Sequence, residues 1–257
     1  RLVTANGRPL NETARVVSGY SDVIVWRPRE DGSVSEFAAA SRVPVINGGD
    51  GANEHPSQAL LDLYTIRSEL VGRERGLDGL RIAMVGDLRF GRTVHSLSKL
   101  LSLFEGLRVS LVSPEALSMP AGVVEALRKA GHEVLETDAL ETGIADVDIV
   151  YSTRIQEERF ASREEADLYR GRFRLTQSVY TANCEPNTVI MHPLPRDSRE
   201  GARELDIDLN DNPNLAIFRQ SDNGVVVRMA LFALILDVVD QVDQHSAPVN
   251  WYTERRF

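Results

Sequence analysis

The sequence predicts an α/β protein of two domains, each built on a parallel β-sheet flanked by helices. Short apolar runs alternate with segments whose apolar residues recur at helical spacing, which is the pattern of β-α units. The apolar runs are nearly continuous, as in parallel strands that are buried on both faces. A charged, glycine-containing stretch, VGRERGLDG (71–79), interrupts the series, and it indicates a boundary between two domains.

The first domain is predicted to contain a β-α-β series and then a longer helix. Strands over 22–26 (DVIVW) and 43–47 (VPVIN) flank a helix over 36–42 (EFAAASR). The longer helix is predicted from Pro56 to about Leu70, because apolar residues recur at helical spacing there and proline is tolerated in a first turn.

The second domain continues the alternation of strands and helices. Strands are predicted over 80–86, 107–113, 147–153 and 187–195, and helices over 91–104 and 121–131. In such sheets, ligands bind at the carboxyl ends of the strands. The segment NGVVVRMALFALILDVV (223–239) is predicted to be a buried helix because it is too apolar for a surface, and the polar residues 241–257 are predicted to be an exposed extension.

The composition favours a cytoplasmic protein without nucleic-acid or membrane partners. The chain of 257 residues carries a formal charge of −9, whereas phosphate backbones are bound by basic surfaces. No apolar window approaches the roughly 20 residues of a membrane span, and the first residues lack the order of a signal peptide. The single cysteine, Cys184, cannot form an internal disulfide, which is typical of a reducing compartment.

Three arginines follow predicted strands, at positions where a solubilising charge is more often lysine or glutamate. They are Arg27 after DVIVW, Arg92 in GDLRFGR and Arg154 in STRIQ. The planar guanidinium binds carboxylates and phosphates with two parallel hydrogen bonds. Each arginine alone could form a surface ion pair, but three at strand ends favour a site for several anionic groups.

His55 and Gln58 lie three residues apart at the start of the helix that begins at Pro56, so they share one face. Free backbone N–H groups and the helix dipole favour negative charge there. The imidazole could donate to a carbonyl oxygen and the amide could recognise an NH2 group. A capping histidine beside a solvated glutamine remains an alternative from spacing alone.

Nucleotide and metal sites are not indicated by the sequence. GDLRFGR follows a strand, but its spacing does not match G-x-G-x-x-G, and no G-x-x-x-x-G-K-[ST] occurs. The remaining histidines show neither H-x-x-H nor H-E-x-x-H spacing. We therefore expect neither a metal nor a cofactor.

Five stretches together resemble the aspartate carbamoyltransferase catalytic chains, in that family's order and approximate spacing. They are GDGANEHPSQALLDLYTI, MVGDLRFGRTVHSL, YSTRIQEERF, MHPLPR and FRQSDNGVVVRMAL. The resemblance extends from about Asn11 to Leu236. It implies transfer of a carbamoyl group from carbamoyl phosphate to the α-amine of L-aspartate in pyrimidine biosynthesis, without metal or cofactor. It also implies a homotrimer with sites shared between neighbours, and possible regulatory or fused partner domains.

The resemblance implies two groups of site residues. In the first, Arg27 and His55 contact the carbonyl oxygen of carbamoyl phosphate, and Gln58 contacts its NH2 group. The second group binds the carboxylates of aspartate or forms the turn beside them, and it comprises Arg92, Arg154, Gln156, Leu194 and Pro195.

The same resemblance implies a division of the chain. Residues 1–70 form an incomplete carbamoyl-phosphate-binding domain with a linking helix, and residues 76–218 form the aspartate-binding domain. Residues 221–241 form a helix that returns to the first domain, so two long helices join the domains. Residues 242–257 form a C-terminal tail.

The sequence departs from the family pattern in the part that binds phosphate. No Ser-Thr-Arg-Thr loop occurs, and Asn6 precedes GRPL (7–10) where the family places a lysine before Gly-Glu-Ser/Thr-Leu. We therefore expect an N-terminally incomplete catalytic chain. The alternative is a non-catalytic or truncated homologue that assembles or binds ligand without turnover. An ornithine-type enzyme is a weaker alternative, because that branch usually carries His-Cys-Leu-Pro in place of HPLPR.

Overall fold

The computed structural model describes most of the chain, and the features below refer to that part: residues 9–71, 76–155, 160, 162, 164, 167–169, 171–197, 199 and 202–245. Within these residues, no helix combines the length and apolar character needed to cross a bilayer.

The first part of the chain forms a two-stranded parallel sheet with three helices. Its elements are α1 (Leu10–Val17), β1 (Ile24–Trp26), α2 (Ser33–Ala40), β2 (Val45–Asn47) and α3 (Pro56–Glu69). Ile24 of β1 lies opposite Val45 of β2. Trp26 stacks on Phe37 of α2, with ring centroids 4.6 Å apart. The sequence predicted both strands, α2 and α3, but it did not predict α1.

The second part forms a five-stranded parallel sheet with the strand order β5-β4-β3-β6-β7. Its elements are β3 (Arg81–Val85), α4 (Arg92–Leu101), β4 (Arg108–Val112), α5 (Ala121–Lys129), β5 (Glu133–Thr137), α6 (Leu140–Ile144), β6 (Ile149–Ser152), α7 (Gln177–Asn183), β7 (Val189–Met191) and α8 (Ile217–Ile235). The chain order reverses between β3 and β6, because β4 and β5 lie on one side of β3 while β6 and β7 lie on the other. This is the point at which open parallel sheets bind ligands.

Apolar side chains cover both faces of the larger sheet. Ile82 and Met84 point into one buried cluster, and the alternate residues Ala83 and Val85 point into another. The central strands β3 and β6 are therefore covered on both faces, which explains why they are continuous apolar runs in the sequence. The predicted α/β class with parallel sheets flanked by helices is confirmed.

The predicted burial of the last helix is wrong. Helix α8 begins at Ile217, six residues before the predicted start, and Ile217, Gln220 and Gly224 are its buried residues. Val225 and Met229 are 62% and 61% exposed. They are exposed because α3 covers the face that carries Gln220 and Gly224, whereas residues 225 and 229 lie on other faces of the helix.

The end of the described chain forms two short 3₁₀ turns, Val239–Gln241 and Asp243–His245. Residues 241–244 are exposed, in line with the predicted extension, and the rest of that extension lies outside the described residues. The domain bounds inferred from the family resemblance stay a prediction.

Candidate active site

The N-terminus of α3 holds His55 and Gln58 against the second part of the molecule. His55 is the N-cap residue, and Pro56 occupies the first helical position, where its missing N–H group costs nothing. The backbone N–H of His55 donates to Oγ of Ser96 on α4 at 2.9 Å. His55 and Gln58 are 7% and 9% exposed, so both side chains have fixed surroundings.

The imidazole of His55 is neutral near pH 7. Burial, and then the positive charges of Arg92, Arg27 and Arg228, together lower its pKa to about 3. Nε2 lies 3.3 Å from Nη1 of Arg27, which can only donate, so Nε2 accepts in this arrangement. Nδ1 lies 3.4 Å from the hydroxyl of Ser57, which can donate or accept. In this arrangement the proton is therefore on Nδ1, which faces the Ser57 hydroxyl; if the proton moves to Nε2, the same hydroxyl can donate to Nδ1.

Arg27 follows β1 directly, at the carboxyl end of the smaller sheet. Its Nη1 also donates to the carbonyl oxygen of Gly48, which follows β2, at 3.1 Å. Both strands of this sheet therefore contribute to the position of the guanidinium beside His55.

Arg92 is the first residue of α4, and it lies against the loop that follows β2. Its Nη1 donates to the carbonyl oxygen of Gly51 at 2.8 Å. Gly49 has φ +119°, and a Cβ atom there would lie 3.1 Å from the guanidinium carbon of Arg92. Glycine thus allows the loop to approach Arg92 closely.

Arg154 lies two residues beyond β6, next to the point where the strand order reverses. The preceding Thr153 donates from its hydroxyl to the carbonyl oxygen of Val85, the last residue of β3, at 3.0 Å. Gly86 permits this close approach, since a Cβ atom there would lie 2.4 Å from the carbonyl oxygen of Thr153. Gln156, the other residue expected from this motif, lies outside the described residues.

The turn after β7 carries Leu194 and Pro195, which are joined by a cis peptide bond. The backbone N–H of Leu194 donates to Nδ1 of the buried His192 at 2.9 Å, so the proton of that imidazole is on Nε2. Nε2 lies 2.8 Å from Oε1 of Glu204, which is also buried. The backbone N–H of His192 donates to Oε1 of Gln220 on α8 at 2.9 Å. The turn is thus held from two sides.

These segments enclose one cavity of about 330 Å³. It is lined by seven of the eight residues that the sequence singled out, namely Arg27, His55, Gln58, Arg92, Arg154, Leu194 and Pro195. Sequence reasoning missed further lining residues, among them Thr93, His192 and Arg228. Arg228 had a usable signal, because it is a single charge within an otherwise apolar stretch of α8.

The cavity is strongly positive. Four arginines line it, and no carboxylate does among the residues that the structure describes. A concave site of this kind suits a small substrate, or a pair of substrates, with several negative charges.

Family comparisons match both halves of the chain. Residues 2–68 match the family described as "Aspartate/ornithine carbamoyltransferase, carbamoyl-P binding domain", and residues 78–235 match "Aspartate/ornithine carbamoyltransferase, Asp/Orn binding domain". The chain belongs to the aspartate/ornithine carbamoyltransferase family. The two matched regions meet at the cavity, with His55 in the first region and Arg92 in the second.

Similar proteins place the chain on the aspartate branch of this carbamoyltransferase family. The "Aspartate carbamoyltransferase catalytic subunit" of Saccharophagus degradans is 72% identical over 253 residues, which are 98% of this chain and 75% of that protein. A solved catalytic subunit of M. jannaschii aspartate transcarbamoylase is 41% identical with a TM-score of 0.78. The match covers 92% of this chain and 73% of that subunit.

A second solved structure shows the ligands of one such carbamoyltransferase. Trypanosoma cruzi aspartate transcarbamoylase in complex with carbamoyl phosphate and aspartate is 38% identical with a TM-score of 0.79. The match covers 91% of this chain and 72% of the Trypanosoma cruzi chain. The predicted family and the transferase class are therefore confirmed. The names of these relatives do not favour the non-catalytic alternative.

Proposed function

We propose that this chain transfers a carbamoyl group from carbamoyl phosphate to the α-amine of L-aspartate, giving N-carbamoyl-L-aspartate and phosphate. The observation that carries the proposal is the cavity, because it is lined by Arg27, His55 and Gln58 from the first family region and by Arg92 and Arg154 from the second. The two groups come from different parts of the chain, as a site for two substrates requires.

Arg27 and His55 are assigned to the carbonyl oxygen of carbamoyl phosphate. Attack on the carbonyl carbon places negative charge on this oxygen, and each well-placed donor there contributes about 3 to 4 kcal/mol. A neutral imidazole donates when its proton is on Nε2, and the Ser57 hydroxyl can then donate to Nδ1. Arg27 can turn from Nε2 of His55 towards the same oxygen.

Arg92 and Arg154 are assigned to the two carboxylates of aspartate. Each guanidinium can hold one carboxylate with two parallel hydrogen bonds. The backbone carbonyl oxygens of Leu194 and Pro195 are assigned to the amine, since carbonyl oxygens only accept and an amine can donate to them. Fixing both substrates in this way brings nitrogen and carbon together at reacting distance.

The bond changes follow from this placement. The amine nitrogen forms a bond to the carbonyl carbon, and the bond from that carbon to the phosphate oxygen breaks. The amine loses a proton, which we assign to the departing phosphate. The phosphate therefore serves as the base, and the protein supplies orientation and charge.

Two arginine variants test the division of the cavity. Replacing Arg154 by alanine in the intact enzyme is expected to raise KM for aspartate about a hundredfold, while KM for carbamoyl phosphate changes far less, because a charged hydrogen-bonding partner is lost on one side. Replacing Arg27 by alanine is expected to affect carbamoyl phosphate more. Arg128 pairs with Glu136 at an exposed site outside the cavity, so Arg128→Ala is the control. Equal effects of Arg154→Ala on both substrates would contradict the assignment.

The proposal also covers the compartment, the assembly and the pathway in which the reaction takes place. We infer a cytoplasmic homotrimer that acts in pyrimidine biosynthesis, from the family resemblance and, for the compartment, from the single cysteine. Sedimentation equilibrium of the intact enzyme is expected to give three times the chain mass. A fully active monomer would contradict a site that is shared between neighbours.

A further inference from the structure

Asp62 is a buried carboxylate one helical turn after Gln58 on α3. Its exposure is 0%, and it accepts three hydrogen bonds. Nε2 of Gln58 and Nε2 of Gln220 donate to Oδ1 at 2.9 and 2.7 Å, and the hydroxyl of Tyr151 donates to Oδ2 at 2.7 Å. All three of these partners donate, which suits an ionised carboxylate, because that group only accepts hydrogen bonds.

This acceptor decides which end of the Gln58 amide faces the cavity. The NH2 end is taken by Asp62, and Gln58 lines the cavity, so its carbonyl oxygen is the end left for a ligand. The two ends of an amide have nearly the same shape, and packing alone does not distinguish them. A carboxylate distinguishes them because it cannot bond to the oxygen end.

The other two partners of Asp62 connect it to further residues that line the cavity. Gln220 accepts from the backbone N–H of His192 at 2.9 Å, at the turn after β7. Thr93, which lines the cavity next to Arg92, also lies beside Tyr151. A displacement of Asp62 would therefore break contacts with two other elements, β6 and α8.

The carboxylate is costly to keep at this position. Burial raises the pKa of Asp62 to about 6, against the opposing effects of its three hydrogen bonds and of Arg228. Among the described residues, no ion pair joins Asp62 to a basic side chain. An apolar residue would avoid the cost of burying the charge, although it could not orient Gln58.

We propose that Asp62 is a positioning residue that fixes the amide of Gln58 with its carbonyl oxygen towards the cavity, where it accepts a hydrogen bond from the NH2 of the carbamoyl group. The inference rests on the carbamoyl transfer proposed above. It explains how the site selects a carbamoyl group over a group of the same shape. An acetyl group of the same shape carries a methyl group in place of NH2, so it cannot donate to this oxygen.

The test is the ratio of two dissociation constants of the intact enzyme, one for acetyl phosphate and one for carbamoyl phosphate. The wild type is expected to bind carbamoyl phosphate more tightly. In Asp62→Ala, water replaces the carboxylate and the Gln58 amide can turn over, so the preference is expected to fall about tenfold, the value of one lost hydrogen bond. A loss of affinity through general damage would weaken both ligands equally and leave the ratio unchanged.

Two matched variants separate orientation from packing. Asp62→Asn is expected to keep the preference, because its oxygen can accept from both glutamine amides while its NH2 faces the hydroxyl of Tyr151. Tyr151→Phe removes another bond to Asp62 without touching Gln58, and it is expected to keep the preference as well. Loss of the preference in Tyr151→Phe to the same extent as in Asp62→Ala would overturn the proposal.

Gln58→Ala distinguishes failure of this inference from failure of the proposed function. If the wild type binds both phosphates equally, the assignment of Gln58 itself is wrong. If Gln58→Ala loses the preference and Asp62→Ala keeps it, the inference about Asp62 alone is overturned. Should Asp62→Ala not fold, neutron diffraction from wild-type crystals decides: we expect the deuterium atoms of the Gln58 amide to face Asp62, and the reverse orientation would overturn the proposal.

Discussion

His55 is nearly buried beside three positive charges, and these features determine its protonation. Its pKa in the folded protein is about 3, below the ordinary value of 6.5, because of burial and then the charges of Arg92, Arg27 and Arg228. The folded state therefore binds fewer protons than the unfolded state between pH 3 and 6.5. The contribution of this residue to stability is complete above pH 6.5 and is lost as the pH falls through this range.

A titration of the ligand-free enzyme by NMR tests this protonation state. We expect the side-chain nitrogen shifts of His55 to remain those of a neutral imidazole from pH 8 down to about pH 4, because the protonated form is disfavoured by burial and by the arginines. His55→Ala supplies the assignment. A midpoint near the ordinary value of 6.5 would show that burial and the arginines do not suppress protonation, and it would contradict the lowered pKa.

Asp62 has the opposite linkage. Its pKa rises from 3.8 to about 6 on folding, so the folded state binds more protons in this range and stability falls as the pH rises through it. A difference of about two pH units corresponds to about 3 kcal/mol. Asp62→Asn removes the titration. We therefore expect the free energy of unfolding of wild type, relative to Asp62→Asn, to decrease between pH 4 and pH 7. The free energies are measured by urea unfolding at each pH. If the difference between wild type and Asp62→Asn stays constant across this range, the Asp62 pKa is unshifted.

Sequence reasoning located much of the site because arginines at strand ends and a histidine at a helix start are local signals. It could not find the role of Asp62, whose partners Tyr151 and Gln220 are 89 and 158 residues away along the chain. Nor could it show that His192 holds the turn after β7 in place through its contacts. Such contacts depend on tertiary packing, and a single sequence does not reveal them.

At the scale of elements, α3 and α8 are joined by an ion pair between Arg219 and Glu69. Nε and Nη2 of Arg219 donate to the two carboxylate oxygens at 2.7 and 2.8 Å. We expect Arg219→Met, which keeps the alkyl stem, to lower the free energy of unfolding by about 1 kcal/mol, because this pair is bidentate and only partly exposed. A double-mutant cycle with Glu69→Gln measures the coupling. Additive effects in the cycle would mean that the pair contributes nothing to stability.

Elements were predictable where burial leaves a pattern in the sequence. Strands β3 and β6 are buried on both faces, and β4 is buried over most of its length; all three were predicted as apolar runs. Strand β5 was missed because it is an edge strand that carries glutamates and has no buried residue. The apolar composition of α8 indicated burial on all sides, whereas in the fold α3 covers only part of it.

At the scale of the whole molecule, a chain with a net charge of −9 surrounds a cavity lined by four arginines. The negative surface disfavours nucleic acid, while the local positive field favours small anions. The cavity lies where the larger sheet reverses its strand order and where α3 brings His55 against α4. The fold thus places groups for two substrates in one crevice.

The most direct test is the formation of product by the intact enzyme. Labelled carbamoyl phosphate is supplied with L-aspartate, and L-ornithine serves as the control acceptor. We predict that N-carbamoyl-L-aspartate accumulates while ornithine gives no product, because Arg92 and Arg154 match two carboxylates. Carbamoylation of ornithine, or no turnover of either acceptor by a folded enzyme, would contradict the assignment of the cavity to carbamoyl phosphate and aspartate.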